Sequence, residues 1–275
     1  MEFLQVLASQ SFLQNALFAG LLASVSCGVM GTYVVVKRIS FIAGGIAHAV
    51  LGGMGIAYFL QQSPIIGAII AAVIFALIIG WVNLRQKEHA DTIIAAIWAV
   101  GMAMGVIFIS KTPGYNSDLM SYLFGSILLV GKEQLWLMFI LNVIVIITVV
   151  VFYKQFLAVC FDEEYARLRG VNVEFYYLLL LVGVAITVVL LIQVVGLILI
   201  IALLTLPAAI AAQYQDSLLR IMAVAIVLGA IFTIAGLAIS YQPDLPAGAT
   251  IILVAGCVYL VSTFVKTHWG RSSGD

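Results

Sequence analysis

The sequence predicts an all-α polytopic membrane protein of about eight to nine transmembrane helices, organised as one domain over residues 1–275. Three observations carry this prediction. Hydrophobic residues make up 64% of the chain and charged residues 9%, whereas a soluble domain carries about a quarter charged residues. Apolar runs of roughly 20 residues, each able to cross a hydrocarbon core of about 30 Å, recur along the whole length. No polar stretch is long enough to form a separate soluble unit.

The crossings fall near 12–36, 39–60, 63–84, 91–110, 132–153, 174–193, 197–212, 217–240 and 247–265. The first ten residues, MEFLQVLASQ, show neither a basic n-region nor a cleavage site, so no removable signal peptide is expected. The seventh run is short and carries Pro207, which a membrane helix tolerates when neighbours satisfy the freed backbone groups. Between the fourth and fifth runs, TPGYNSDLMSYLFGSILLVG opens on turn residues at Pro113 and Gly114 and continues as a short apolar helix.

Basic residues test the count, because short loops rich in Lys and Arg stay in the cytoplasm. With nine crossings and an outer N-terminus, Lys37, Arg38, Arg85, Lys87, Lys154, Arg167, Arg169, Arg220, Lys266 and Arg271 all fall inside. Only Lys111 and Lys132 remain outside. Removing the short seventh crossing moves Arg220 and the C-terminal basic residues outside, so the bias retains it.

The loop after the fifth crossing reads KQFLAVCFDEEYARLRGVNVE. Asp162 suits an N-cap, and Glu163 and Glu164 lie in the first turn, where acids complement the helix dipole. Glu163 and Arg167 stand at i,i+4 in the favourable order, and Gly170 suits a left-handed C-terminal cap. Phe161, Tyr165 and Leu168 share one face. A capped amphipathic helix over about 161–171 follows, either resting on headgroups or docking into a cytoplasmic partner.

Chemistry at membrane depth is sparse. None of the twelve acidic residues lies at depth in a predicted span, which weighs against a proton-driven carrier. Cys27, Cys160 and Cys257 are scattered, form no CxxC pair and read as small apolar residues. No GxxxxGK[ST], HExxH or GxSxG occurs, so the chain holds no nucleotide site or hydrolase centre of those types, and no enzymatic activity or bound cofactor is expected. A net charge of zero gives no case for nucleic acid.

His48 is the one histidine within a predicted span; His89 and His268 lie in cytoplasmic segments. At 3.6 residues per turn, Gly45, His48, Gly52 and Gly55 share a face. Two readings stand. The glycines form a packing surface on which His48 bonds to a neighbouring helix. Alternatively His48, flanked by Gly45 and Gly52, is a polar point in a translocation pathway, a weak and transient contact for a divalent metal.

The segments KRISFIAGGIAHAVLGGMGIAYFL, SDLMSYLFGSIL, FDEEYARLRGVNV, VGLILIIALLTLPAAIA and DLPAGATIIL, in this order and spacing, together resemble the ABC-3 permeases, the membrane subunits of zinc, manganese and iron ABC importers. The resemblance covers residues from about 10 to 265. It implies a homodimer of the vitamin B12 importer type in a prokaryotic plasma membrane, with the pathway between the two copies. Each copy would dock a cytoplasmic ATPase subunit, which binds ATP and Mg, through Asp162, Glu163, Glu164, Arg167 and Gly170. An extracytoplasmic metal-binding protein would dock on the outer face, around Asn116, Asp118 and Asp244. Many members carry an aspartate four residues before the histidine. Here that position is Gly44, so His48 is carried over without its carboxylate partner. The cargo expected first is zinc, with manganese and iron as alternatives. An ion-coupled secondary transporter without an ATPase, or a non-transporting scaffold subunit, remains open from the residues alone.

Overall fold

A computed structural model describes residues 10–86, 89–112, 125–241 and 245–271. Among these every regular element is helical. In chain order they are α1 (Ser11–Val36), α2 (Ser40–Phe59), α3 (Pro64–Arg85), α4 (Ala90–Ser110), α5 (Lys132–Val151), α6 (Tyr153–Phe161) and α7 (Glu163–Leu168). A broken run over Val173–Tyr214 follows, whose limbs we number α8 (Val173–Ile192) and α9 (Leu199–Tyr214), and then α10 (Leu218–Tyr241) and α11 (Ala247–Arg271). Among the described residues, eight helices are long and apolar enough to span a membrane, and α9 is a shorter apolar one.

The starts of these helices follow their sequence. Pro64 occupies the first turn of α3, where its missing N–H costs nothing. The N-H of Tyr165 donates to Asp162 Oδ1 at the head of α7, and that of Phe175 to Asn172 Oδ1 at the head of α8. Of the short helix expected before the fifth crossing, the described part holds only a 3₁₀ turn at Ile127–Leu129.

Helices α1 and α2 form the middle of the bundle, each with 72% of its apolar window buried, against 22% for α4 and 28% for α5 and α11. α1 runs antiparallel to α10: Gly20 backs onto Thr233, Gly28 onto Ile226. Buried Asn142 of α5 ties itself to α1, accepting from Ser26 Oγ at 2.7 Å and donating to the Leu22 carbonyl at 2.8 Å. Between membrane helices such pairs matter because a lone amide in hydrocarbon costs several kcal/mol (~2–7).

The break between α8 and α9 sits at Gly196, with φ 73° and ψ 171°. This region of the backbone map is essentially closed to residues with a Cβ. Contacts with α1 show that the chain turns back here. Met30 packs on Gly183 and the next residue, Gly31, backs onto the Leu204 carbonyl. A straight helix would hold residues 183 and 204 about 31 Å apart. The fold-back produces the expected seventh helical run. Pro207, its sequence warning sign, lies inside α9, and Gly196 alone leaves helical geometry.

One end of the bundle collects charged and polar side chains. Lys37 pairs with Glu163, and Arg85 with Glu174 at 3.7 Å. Tyr214 bonds Ser262 across the ends of α9 and α11, and Val36 packs beside Ala208 and Ala211.

Candidate functional site

The candidate residues gather in two places, the surroundings of His48 and the short helix α7. Along α2, the face containing Gly45, His48, Gly52 and Gly55 lies against α4. A Cβ on Gly52 would stand 2.8 Å from the Gly101 carbonyl oxygen, and one on Gly55 2.5 Å from that of Gly105. The space over Gly45 is filled by the side chain of Ile94, from the same helix α4. Small residues from both helices thus bring the two backbones together, the arrangement that lets membrane helices associate closely. Gly45 and Gly52, expected beside a pathway, sit in this helix–helix seam within the chain.

The seam positions His48. Its ring stacks on the indole of Trp98, with centroids 4.3 Å apart and planes 5° from parallel. The indole Nε1–H is directed at Met102 Sδ, 2.9 Å away, and Phe41 leans on the same ring at 6.4 Å. His48 Nδ1 is buried with no hydrogen-bond partner, and the side chain as a whole is half-buried. The expected hydrogen bond to a neighbouring helix is therefore replaced by an aromatic stack. Trp98 was not singled out in the sequence, although Trp98, Gly101 and Gly105 repeat at the three- and four-residue spacing of a helix face, as His48, Gly52 and Gly55 do.

Gly44, where relatives with an aspartate would offer a second ligand, faces α9: a Cβ there would lie 2.7 Å from Ile201 Cδ1. Among the described residues, no group of three or more His, Cys, Asp or Glu side chains is placed to hold a metal. The three cysteines are free, and burial pushes the Cys160 thiol up to about 12, away from the thiolate that binds metals.

At the charged end, α7 begins at its expected cap and closes at Gly170, with φ 77°. Phe161, Tyr165 and Leu168 are 64%, 51% and 86% exposed, an apolar face open to contact. Arg169 Nε donates to the Tyr165 hydroxyl at 2.9 Å and its guanidinium lies over the same ring. One expectation is corrected. Glu163 pairs with Lys37 rather than with Arg167, because the fold brings a partly buried ammonium to it, and that outweighs a solvent-screened i,i+4 pair. Glu164 and Arg167 remain on α7 outside this pair. Asn116, Asp118 and Asp244 lie outside the described residues.

The sequence matches the model of the ABC 3 transport family over residues 9–266, nearly the entire chain. The chain belongs to the ABC 3 transport family. Among curated relatives it is 47% identical over 212 residues to a Chlamydia pneumoniae protein that bears the name "Probable metal transport system membrane protein", covering 75% of this chain and 72% of that one. It is 36% identical over 211 residues to the manganese transport system membrane protein MntC of Listeria monocytogenes, covering 77% and 75%. Among solved structures, it superposes on PsaBC from Streptococcus pneumoniae, solved with a Fab, with TM-score 0.87 and 32% identity over 96% of this chain and 95% of that one. A metal-chelate type ABC transporter in an inward-facing conformation follows at TM-score 0.73 and 13% identity, a likeness that speaks to the fold alone. The fold of this ABC 3 chain is accordingly that of an ABC importer permease.

Proposed function

We propose that this chain is the membrane subunit of an ATP-driven importer of divalent metal, with manganese the foremost cargo. The observation that carries the reading is α7: a capped helix at the charged end of an ABC 3 permease, presenting an apolar face fit for a partner protein. The charged end then faces the cytoplasm of a prokaryotic cell, with the C-terminus inside and the N-terminus outside. Two copies flank the pathway, an ATPase subunit binds each α7, and an extracytoplasmic metal-binding protein delivers the ion. MntC of Listeria monocytogenes is named for manganese, so manganese precedes zinc, which the sequence alone had put first; iron is the third candidate.

The test is uptake into vesicles holding this chain and its ATPase, comparing the three ions with and without ATP. ATP-dependent uptake favouring manganese supports the proposal. Uptake without an ATPase, driven by a proton gradient, would establish the secondary-transporter alternative. Reversing both charges at Glu164 and Arg167 is expected to weaken co-purification with the ATPase while the permease still folds; undiminished co-purification would remove α7 as the docking element. His48→Ala is expected to lower manganese uptake at least about fivefold with dimer and ATPase binding intact, the lower range for loss of one coupled contact. Full uptake in that variant would leave His48 as a packing residue.

A further inference from the structure

Helices α1 and α2 are joined by only three residues, Lys37, Arg38 and Ile39. The Arg38 N–H donates to the Val35 carbonyl at 3.1 Å and the Ile39 N–H to that of Val34 at 3.0 Å. This is the Schellman pattern that closes a helix, with the left-handed position at Arg38, φ 60°. A residue bearing a Cβ is uncommon there, and it holds the chain in one sharp bend. Directly after the bend, the Ala43 N–H donates to the Ile39 carbonyl, so α2 leaves with no slack. The two central helices therefore form a rigid elbow, and the second of them carries His48.

The same elbow is fastened to the docking helix. Lys37 Nζ donates to Glu163 Oε1 at 2.5 Å and to the Val159 carbonyl at 2.7 Å. One ammonium thus holds both the first residue of α7 and the end of α6, and it is only 15% exposed, against 32% for the Glu163 side chain. A screened surface pair contributes little, but a partly buried one with two acceptors fixes a geometry. Arg85 with Glu174, at 3.7 Å and about half exposed on each side, is the loose counterpart.

From this geometry we infer that Lys37 is the positioning residue through which α7 moves the α1–α2 elbow, so that displacement of α7 by the ATPase tilts the helix bearing His48. The inference rests on the proposed role of α7 in ATPase docking. Lys37 touches neither cargo nor nucleotide; it acts through Glu163 and Val159. Coupling between distant sites is carried by packed side chains and ion pairs, and here the connection is three residues and one ion pair long.

The experiment uses the complete transporter in vesicles and measures ATP hydrolysed and manganese taken up in the same sample. Lys37→Met keeps the aliphatic stem and removes the charge. It is expected to assemble with the ATPase and hydrolyse ATP, while uptake per ATP falls roughly tenfold, within the usual range of a coupling free energy. Lys37→Arg, which can reach both acceptors, is expected to restore most of the ratio. An unchanged ratio in Lys37→Met overturns the inference, and so does loss of ATPase assembly, which would make the pair a part of the docking surface. Failure of the unaltered transporter to take up manganese with ATP would instead count against the proposed function.

Discussion

Gly196→Ala is expected to lower the melting temperature of the detergent-solubilised chain by on the order of 5–10 °C. The backbone there, φ 73° and ψ 171°, costs about 1–3 kcal/mol for a residue with a Cβ, and each kcal/mol shifts the midpoint by roughly 2–4 °C at this size. Space is short as well. Gly125, itself at φ 67°, is pressed so closely on the break that a Cβ on it would overlap the Gly196 nitrogen. Gly248 packs from the third side, where a Cβ would lie 3.2 Å from Val195 Cα. Three segments distant in sequence meet at this point, so the strain cannot relax by a local shift. Gly256 supplies the control. It is helical, with nothing within 4 Å of its Cβ position, and Gly256→Ala should leave the midpoint unchanged or slightly raised. A Gly196→Ala chain that melts with the parent would mean that α8 and α9 can join in another way.

Gly105→Leu is expected to abolish manganese-dependent uptake while the chain remains in the membrane. A Cβ on Gly105 already stands 2.5 Å from the Leu51 carbonyl oxygen and 2.8 Å from its carbon. These are backbone atoms of α2 and cannot swing aside. Overpacking of this kind costs about 1–3 kcal/mol, and α4, mostly exposed along its length, yields by moving outward. Trp98 moves with it and leaves the His48 ring. Gly105→Ala should give a partial loss, and Val106→Leu, on the exposed face of the same helix, should have no effect. Comparing uptake in membranes with equal amounts of each variant decides the matter; full uptake in Gly105→Leu would mean that the spacing of the seam has no bearing on transport.

Much of this was legible in the chain itself. The apolar runs gave the helices to within a few residues, because a membrane imposes length and apolarity on every span. α7 was legible to its caps, since Asp162 and Gly170 act through bonds to their own neighbours. The glycine face of α2 was also readable, though not what filled it. What escaped was long-range. Glu163 had a partner at i+4, and only the folded chain brings Lys37 to it. Trp98 carries no periodic signal stronger than that of other aromatics. Gly196 lies between the sixth and seventh crossings among apolar neighbours, and its sequence does not distinguish it from the helical glycines. A backbone conformation that only glycine tolerates leaves no trace in hydropathy.

The fold-back at Gly196 also bears on how the protein enters its membrane. Leu199–Tyr214 is about 24 Å long at 1.5 Å per residue, short of a hydrocarbon core of about 30 Å. Such a segment is a poor stop signal by itself, and its apolar side chains pack on α1, α2 and α10. Entry of α8 and α9 together as one hairpin is the expected route, because the longer α8 supplies the apolar length that α9 lacks.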